Sequence, residues 1–326
     1  MKKSKLKLKF LYIINIALFF LLIFLYIKKN YKYFFCQKCI YEKNIEKKCS
    51  ICDADIIFKS IKFKSADETL NELLYNNKSI IRFGDGEFKI IFGVGTRFHK
   101  FNEKLKDKLL LALNSNIPNL LIGIYPLYKN RNPYWVRFLN HYKFKLGKIL
   151  NKNRIYYDLR ITRFYHFQPN KNRIRIQNYV NKFKKIWNNR NILIIEGEKT
   201  RLGYGNDLFN NSKSIKRIIC PNKNAFNAYD KIFDYITHLN IDKDTLILVS
   251  LGQTATILIY DIIKFGLKNQ IIDFGHFDLF YEFFLRNATR KIKIPYKYVN
   301  ELREGRRNII PITDAKYLNQ IIHRIN

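Results

Sequence analysis

The chain has 326 residues, of which 47% are hydrophobic and 16% aromatic, and its 60 Lys and Arg against 26 Asp and Glu give a formal net charge of +34. This much apolar material excludes an intrinsically disordered chain, and five Cys in such a length exclude a disulfide scaffold. The charge favours anionic partners (nucleic acid, anionic lipid or phosphorylated metabolites), unless it is solvated surface that follows from a Lys-rich composition.

The N-terminal residues are predicted to form a membrane anchor. Residues 10–27 carry no charged side chain, and at about 1.5 Å per residue they are long enough to cross a bilayer core. A cleaved signal peptide is the alternative, but the apolar run is long for one and no small-residue cleavage pattern follows it. Residues 1–30 are therefore assigned to a basic flank and a single-pass anchor. Lysines on both sides of the span leave its orientation open.

Two CxxC pairs follow, in a segment assigned to residues 31–58. The four cysteines are Cys36, Cys39, Cys49 and Cys52. Such pairs can supply four thiolates to a tetrahedral structural Zn²⁺, and two disulfides are the alternative. Zinc would favour a reducing compartment, which places the main domain in the cytosol. We expect a metal staple between anchor and main domain rather than a partner or nucleic-acid contact, and we expect Cys220 to be a core thiol.

Residues 59–326 are predicted to form an α/β domain. Predicted helices cover 66–75, 104–113, 133–150, 176–187, 225–238 and 254–265, and a short helix ends the chain. Predicted strands cover 79–83, 119–125, 154–157, 161–165, 191–196, 245–251 and 270–274. The alternation of strands and helices predicts a Rossmann-like, mostly parallel sheet with flanking helices.

Ligands bind beyond the carboxyl ends of the strands in such sheets, so we examined the strand exits. The strand at 79–83 runs into Arg82-Phe-Gly-Asp85-Gly-Glu87. From an irregular loop, the two carboxylates could hold one Mg²⁺ or Mn²⁺, and Arg82 could neutralise a phosphate. A solvated turn is the alternative interpretation.

Three further exits carry candidate residues. After 191–196 come glycines with Lys199 and Arg201, in a pattern that is neither a P-loop nor G-x-G-x-x-G. After 245–251 come Gly252 and Thr254, which either seat an anion at a helix N-terminus or cap that helix. After 270–274 comes His276, which could bind metal or transfer protons, or could be a structural histidine.

With these stretches in place, the main domain resembles the GT-D-fold glycosyltransferases. The resemblance spans roughly residues 59–302 and rests on SIIRFGDGEF, ITRFY, EGEKTRLGYGNDLFNNSKSIKRIICPNKNAFNAYDKI, LGQTATILIYDIIKFG and IDFGHFD, in that order. The family's L-G-P-T is LGQT here, with Gln253 in place of Pro. The anchor and the CxxC pairs are not usual for the family.

The resemblance implies a nucleotide-sugar-dependent transferase, with a UDP-sugar as the expected donor and Mn²⁺ or Mg²⁺ held by Asp85 and Glu87. The candidate donor-binding residues are Arg82, Gly84, Gly86, Thr162, Arg163, Glu198, Arg201, Asn206, Gly252 and Thr254. If the reaction inverts the anomeric carbon, a general base is needed, and the candidates in falling order are Asp278, His276 and Glu282.

The leading hypothesis is therefore a membrane-anchored hexosyltransferase that moves a sugar to a glycan, glycoprotein or lipid-linked acceptor in surface glycoconjugate synthesis. One alternative is a membrane-tethered, zinc-containing nucleic-acid-binding protein, which would explain the charge but not the strand exits. The other is a metal-dependent phosphohydrolase, which would use similar carboxylates. Nucleic acid is not an expected partner under the leading hypothesis.

Overall fold

The computed structural model describes residue 21 and residues 58–126, 133–167 and 173–326. The predicted membrane span, apart from Leu21, and the four paired cysteines lie outside these residues. The anchor, the cysteine segment and the boundaries at residues 30 and 58 therefore stay predictions. Among the described residues, no helix combines the length and apolar character that crossing a bilayer requires.

Nine strands of the described chain form one sheet in which every pairing is parallel. They are β1 (Lys62–Phe63), β2 (Ser79–Phe83), β3 (Leu120–Ile124), β4 (Ile155–Asp158), β5 (Asn191–Gly197), β6 (Ser214–Cys220), β7 (Leu246–Ser250), β8 (Ile271–Asp273) and β9 (Ile321–Arg324). The spatial order is β1-β4-β3-β2-β8-β7-β5-β6-β9. The predicted parallel α/β architecture is confirmed, and all strands present their carboxyl ends at one edge.

The helices of the described chain connect these strands. They are α1 (Ala66–Tyr75), α2 (Asp85–Ile91), α3 (Glu103–Leu113), α4 (Pro133–Ile149), α5 (Arg173–Lys184), α6 (Tyr229–His238), α7 (Gln253–Phe265), α8 (Phe277–Leu285) and α9 (Ala315–Leu318). Helix α1 shows why they begin where they do: the Ser65 hydroxyl accepts from the Glu68 backbone N–H, and the Glu68 carboxylate accepts from the Ser65 backbone N–H.

The chain divides into two compact units. One comprises residues 1–60 and 133–150, and α4 belongs to it, with Leu139 and Leu146 among its buried side chains. The other comprises residues 61–132 and 151–326, and it contains the sheet and the remaining helices. All the candidate site residues that the structure describes lie in this second unit.

Aromatic side chains dominate the core of the sheet-containing unit. Trp187 is fully buried and its indole N–H donates to the Leu208 carbonyl oxygen at 3.0 Å. Its ring meets those of Phe209, Phe274 and Phe277 at centroid distances of 5.3, 5.8 and 6.3 Å. The high aromatic content thus has a structural use, because each such ring buries a large apolar area. Cys220 is a buried free thiol, as predicted, and burial raises its pKa to about 12.

Two predictions of local structure are wrong. Residues 161–165 do not form a strand, since Leu159–Thr162 is a 3₁₀ turn capped by the Asp158 carboxylate, which accepts from the Arg160 backbone N–H at 2.8 Å. The chain also does not end in a helix. Helix α9 has four residues, and the chain then continues into β9, which pairs with β6.

Candidate functional site

Strands β2, β8 and β7 lie side by side, so the loops that leave them meet at the carboxyl edge. Two hydrogen bonds tie these exits together. The Ser250 hydroxyl donates to the Gly275 carbonyl oxygen at 3.0 Å, and the Thr256 hydroxyl donates to the Arg82 carbonyl oxygen at 3.0 Å. Three of the four predicted exits therefore belong to one site.

Arg82 bridges the exits of β2 and β8. Its Nε donates to the Asp273 carbonyl oxygen at 3.0 Å, and its Nη2 donates to Asp273 Oδ1 at 2.8 Å. Its Nη1 donates to the Thr162 hydroxyl at 2.6 Å, which brings another predicted residue into the site. Burial raises the pKa of Asp273, and the Arg82 charge opposes that rise. The sequence alone assigns Asp273 no role, although it closes a buried strand two residues before Gly275.

Gly275 makes this position of Arg82 possible. Its φ is +47°, and a Cβ atom built on it would lie 1.8 Å from Arg82 Nη2. Both the backbone conformation and the space therefore favour glycine here.

Asp85 and Glu87 occupy the first turn of α2 rather than the irregular loop that the sequence predicted. Glu87 Oε2 accepts from the Gly84 backbone N–H at 2.7 Å, which caps the helix. Asp85 Oδ2 accepts from Lys89 Nζ at 2.9 Å. Burial raises the pKa of Glu87 to about 7, and the nearby charges of Asp273 and Asp85 add to this rise.

Asp85 and Glu87 have the ligand chemistry that a divalent cation prefers. Asp and Glu oxygens are preferred ligands of Mg²⁺ and Mn²⁺, and a cation would favour the charged form of Glu87, whose pKa is raised mainly by burial and further by the charges of Asp273 and Asp85. Within residues 58–126, 133–167 and 173–326, no three His, Cys, Asp or Glu side chains converge on one point. A coordination shell of two protein carboxylates, completed by water and phosphate oxygens, is typical of Mg²⁺.

The turn from β7 into α7 lies against this carboxylate pair. Gln253 is 6% exposed, and a Cβ atom on Gly86 would lie 2.1 Å from its Nε2. Its Oε1 has no hydrogen-bond partner among the described residues. The substitution of Pro by Gln thus places a polar group between the exits of β7 and β2, a contact that sequence analysis did not foresee.

The Thr254 side chain contacts His99. Its hydroxyl lies 3.2 Å from His99 Nε2. Burial lowers the pKa of His99 to about 4, although a hydrogen bond to the backbone of Leu251 opposes this. His99 is therefore neutral at pH 7. Because its other ring nitrogen donates to Leu251, its Nε2 accepts from the Thr254 hydroxyl.

His276 is held by Arg163. Arg163 Nη2 lies 2.9 Å from His276 Nδ1, and Nη1 donates to Glu301 Oε1 at 2.9 Å. A guanidinium group has no acceptor, so Nδ1 must accept and the ring proton sits on Nε2. Burial lowers the pKa of His276 to about 3, and the Arg163 charge adds to this. His276 is thus a hydrogen-bond donor through Nε2 and a weak base.

Asp278 and Glu282, the other candidates for a general base, are buried in an ion cluster. Lys297 Nζ donates to Asp278 Oδ2 at 2.6 Å and to Glu282 Oε1 at 2.8 Å, and all three residues are at most 1% exposed. Asn206 Nδ2 donates to Asp278 Oδ1 and to Glu282 Oε1, both at 2.8 Å. These contacts favour a structural role over proton abstraction, and neither Lys297 nor this use of Asn206 was predicted.

A family model described as glycosyltransferase GT-D fold matches residues 80–302, which includes each of these strand exits. The chain belongs to the GT-D glycosyltransferase family. Two solved structures have the same fold. The domain of unknown function 1792, reported to have a distinct glycosyltransferase fold, gives a TM-score of 0.76 at 32% identity over 85% of this chain and 100% of that one. A new glycosyltransferase from Streptococcus sanguinis gives 0.74 at 30% identity over 82% and 100%.

Curated GT-D relatives are longer proteins. The chain is 33% identical over 259 residues to the probable glycosyl transferase Gly of Streptococcus gordonii, over 74% of this chain and 36% of that protein. It is 31% identical over 301 residues to glycosyltransferase GlyD of Streptococcus pneumoniae serotype 4, over 89% and 34%. The chain therefore spans about a third of the length of these relatives.

The remaining predicted donor-binding residues have other positions in this GT-D domain. Arg201 Nη1 donates to the carbonyl oxygens of Tyr296 and Ile310 at 2.7 and 2.6 Å, so it fixes the C-terminal segment to the β5 exit. The Glu198 side chain is exposed. Glu196, the last but one residue of β5, is buried and accepts from Arg217 Nη1 at 2.6 Å. Nothing in these contacts brings Arg201 or Glu198 toward the carboxylate pair.

Proposed function

We propose that this chain is a metal-dependent hexosyltransferase that moves a sugar from a UDP-sugar to a glycan, glycoprotein or lipid-linked acceptor. The observation that carries the proposal is the position of Asp85 and Glu87. They begin a helix at the exit of β2, where the strand order reverses, and Arg82 lies beside them. Crevices at such points are the usual ligand sites of open α/β sheets.

The residues at this edge have distinct tasks under the proposal. Asp85 and Glu87 hold Mn²⁺ or Mg²⁺, which supplies Lewis acidity for the charge that develops on the diphosphate leaving group. Arg82 contributes positive charge at the same exit and is held in place by Asp273. His276 donates a hydrogen bond through Nε2 and does not act as the general base, because Arg163 occupies its Nδ1.

The location of the reaction follows from the sequence predictions. We propose that residues 1–30 anchor the chain to the membrane, that the four paired cysteines bind zinc, and that the transferase domain faces the cytosol. An acceptor carried by a lipid would then be presented beside the bilayer, where basic side chains favour anionic headgroups.

Titration of UDP by calorimetry, with and without Mn²⁺, tests the proposal. We expect Mn²⁺-dependent binding that weakens at least about tenfold in Asp85→Asn and in Glu87→Gln, since each change removes a charged ligand. Asp234→Asn is the control, because that carboxylate on α6 is 76% exposed. UDP binding that needs no metal, or that survives both substitutions unchanged, would contradict the metal assignment.

A second assay separates transfer from hydrolysis. The purified chain is incubated with a UDP-sugar and Mn²⁺, with and without a panel of glycan and prenyl diphosphate acceptors. Release of UDP that is stimulated by an acceptor supports the transferase. Release of UMP and sugar 1-phosphate, at a rate that no acceptor changes, would instead indicate a phosphohydrolase, because water then cleaves the diphosphate.

A further inference from the structure

Tyr298 has a buried hydroxyl group that lacks a partner. The residue is 8% exposed, and its hydroxyl oxygen makes no hydrogen bond within the described part of the chain. Leaving such a group unsatisfied costs about 1–3 kcal/mol, so the hydroxyl needs a partner from outside the described side chains.

Three segments meet at Tyr298. Its backbone N–H donates to the Lys199 carbonyl oxygen at 2.9 Å, which fixes it to the exit of β5. Its ring lies 6.0 Å from that of Phe98, centroid to centroid. The next residue, Val299, donates its backbone N–H to the Gly305 carbonyl oxygen at 2.9 Å. Residues from distant parts of the sequence therefore surround Tyr298.

Two of these segments contain an arginine next to the contact residue. Arg97 precedes Phe98, and Arg306 follows Gly305. Burial raises the pKa of Tyr298, and the charges of Arg306 and Arg97 oppose that rise, which is consistent with both guanidinium groups being near. Neither arginine forms an ion pair with an acidic side chain of the described residues.

We propose that Arg97, Tyr298 and Arg306 form a phosphate-binding subsite at the carboxyl edge of the sheet. A phenol hydroxyl and two guanidinium groups are all hydrogen-bond donors to phosphate oxygens, and the two positive charges match a dianion. No metal is needed for this recognition.

The subsite lies beside the β7–α7 turn. Phe98 Cβ is 3.9 Å from where a Cβ atom on Gly252 would lie, which places the subsite next to that turn. Strand β5, to which Tyr298 is tied, is three positions from β2 in the sheet. At about 4.8 Å per strand, the exits of β5 and β2 are roughly 14 Å apart.

The phosphate has two chemically equivalent sources. One is the diphosphate of the nucleotide-sugar, bound in an extended pose. The other is the phosphate of a lipid-linked acceptor. This second source rests on the proposed function, whereas phosphate recognition itself does not.

The test uses the full chain and three probes: inorganic pyrophosphate, UDP with Mn²⁺, and farnesyl diphosphate as a stand-in for a lipid-linked acceptor. The variants are Arg97→Gln, Arg306→Gln and Tyr298→Phe, and Arg307→Gln is the matched control because it is a neighbouring exposed arginine. We expect each variant, but not the control, to weaken pyrophosphate binding by about tenfold, the usual effect of losing one charge-assisted hydrogen bond.

Thermal unfolding adds an independent check. Tyr298→Phe removes an orphan hydroxyl, so we expect its melting temperature to be unchanged or raised while phosphate binding falls. A lowered melting temperature in Tyr298→Phe would show that the hydroxyl has a partner and would overturn the proposal.

The probes identify the source. Weaker farnesyl diphosphate binding with unchanged UDP binding assigns the subsite to the acceptor, and the reverse assigns it to the donor. Wild-type binding of all three probes by all three variants would overturn the subsite. If instead Asp85→Asn leaves UDP binding intact while these variants still lose pyrophosphate, the subsite stands and the proposed metal-dependent function fails.

Discussion

Gly275→Ala should displace the Arg82 side chain that joins the exits of β2 and β8. An added Cβ atom would lie 1.8 Å from Arg82 Nη2 and 2.7 Å from its Cζ, so the whole guanidinium group must move. The arginine side chain is flexible enough to do so. The energetic cost comes from what it leaves behind, namely the Asp273 carboxylate, whose side chain is 6% exposed.

Two terms set the size of the effect. At φ = +47°, an alanine costs about 1–2 kcal/mol in backbone strain. Removing the partner of a buried carboxylate costs about 3–5 kcal/mol. We therefore expect Gly275→Ala to lower the free energy of unfolding by at least about 4 kcal/mol, a large fraction of the stability of an ordinary domain.

Urea denaturation of Gly275→Ala and Gly93→Ala measures the difference. Gly93 has φ = +85° and no heavy atom within 4 Å of a built Cβ, so this control carries only the strain term of about 1–2 kcal/mol. We also expect only Gly275→Ala to weaken UDP binding. An equal loss of stability in both variants, or unchanged UDP binding in Gly275→Ala, would refute the role given to Arg82.

Three further predictions concern other parts of the same unit. Lys297→Met should destabilise the fold by about 3–5 kcal/mol in urea denaturation because it leaves the buried Asp278 without a cation, while Glu282 keeps its pair with Arg286. Lys184→Met, which breaks a pair with a half-exposed aspartate, should cost under about 1 kcal/mol, and similar losses in the two variants would contradict the buried cluster. The folded-state pKa of His99 is about 4, below its usual value, so its stabilising effect is complete above about pH 6.5 and is lost as the pH falls toward 4. We expect the free energy of unfolding to fall by on the order of 3 kcal/mol over this pH range in the wild type but not in His99→Asn. Parallel pH profiles for the two proteins would contradict the role given to His99. Gly86→Ala should weaken Mn²⁺ and UDP binding by calorimetry because its Cβ meets Gln253, and Gln253→Ala should restore binding to the double variant; no rescue would mean that the clash is not the cause.

The parallel sheet could be predicted because its central strands are short apolar runs. Strand β7 reads LILVS with every residue buried, and β5 is almost as apolar. Strand β6 was missed because Lys216 and Arg217 interrupt its pattern. Arg217 is nevertheless buried, since it pairs with Glu196 on the neighbouring strand, and a local pattern cannot reveal that partner.

The sequence did not predict helices α2 and α8, the first because it looks like a turn and the second because it is apolar throughout. The first turn of α2 contains Gly86, and GDGE looks like a turn until Glu87 is seen to cap the helix at Gly84. Helix α8 reads FDLFYEFFL with seven of nine residues buried, so it has no polar face to create a helical period.

The site could be located but not assembled from the sequence. Strand exits and the family resemblance identified Arg82, Asp85, Glu87 and His276. Their partners lie far away in the chain, as with Arg82 and Asp273, which are 191 residues apart. The same distance in sequence hid Lys297, which contacts both Asp278 and Glu282. Their role as general bases stays a prediction.

Anomalous diffraction at the manganese edge, from crystals grown with Mn²⁺ and UDP, tests the central claim most directly. We predict one strong peak within coordination distance of Asp85 and Glu87, with the UDP diphosphate as a further ligand, and no peak in Asp85→Asn crystals. Bound UDP without a manganese peak at these carboxylates, or a peak at another strand exit, would contradict the assignment of Asp85 and Glu87 as the metal-binding pair.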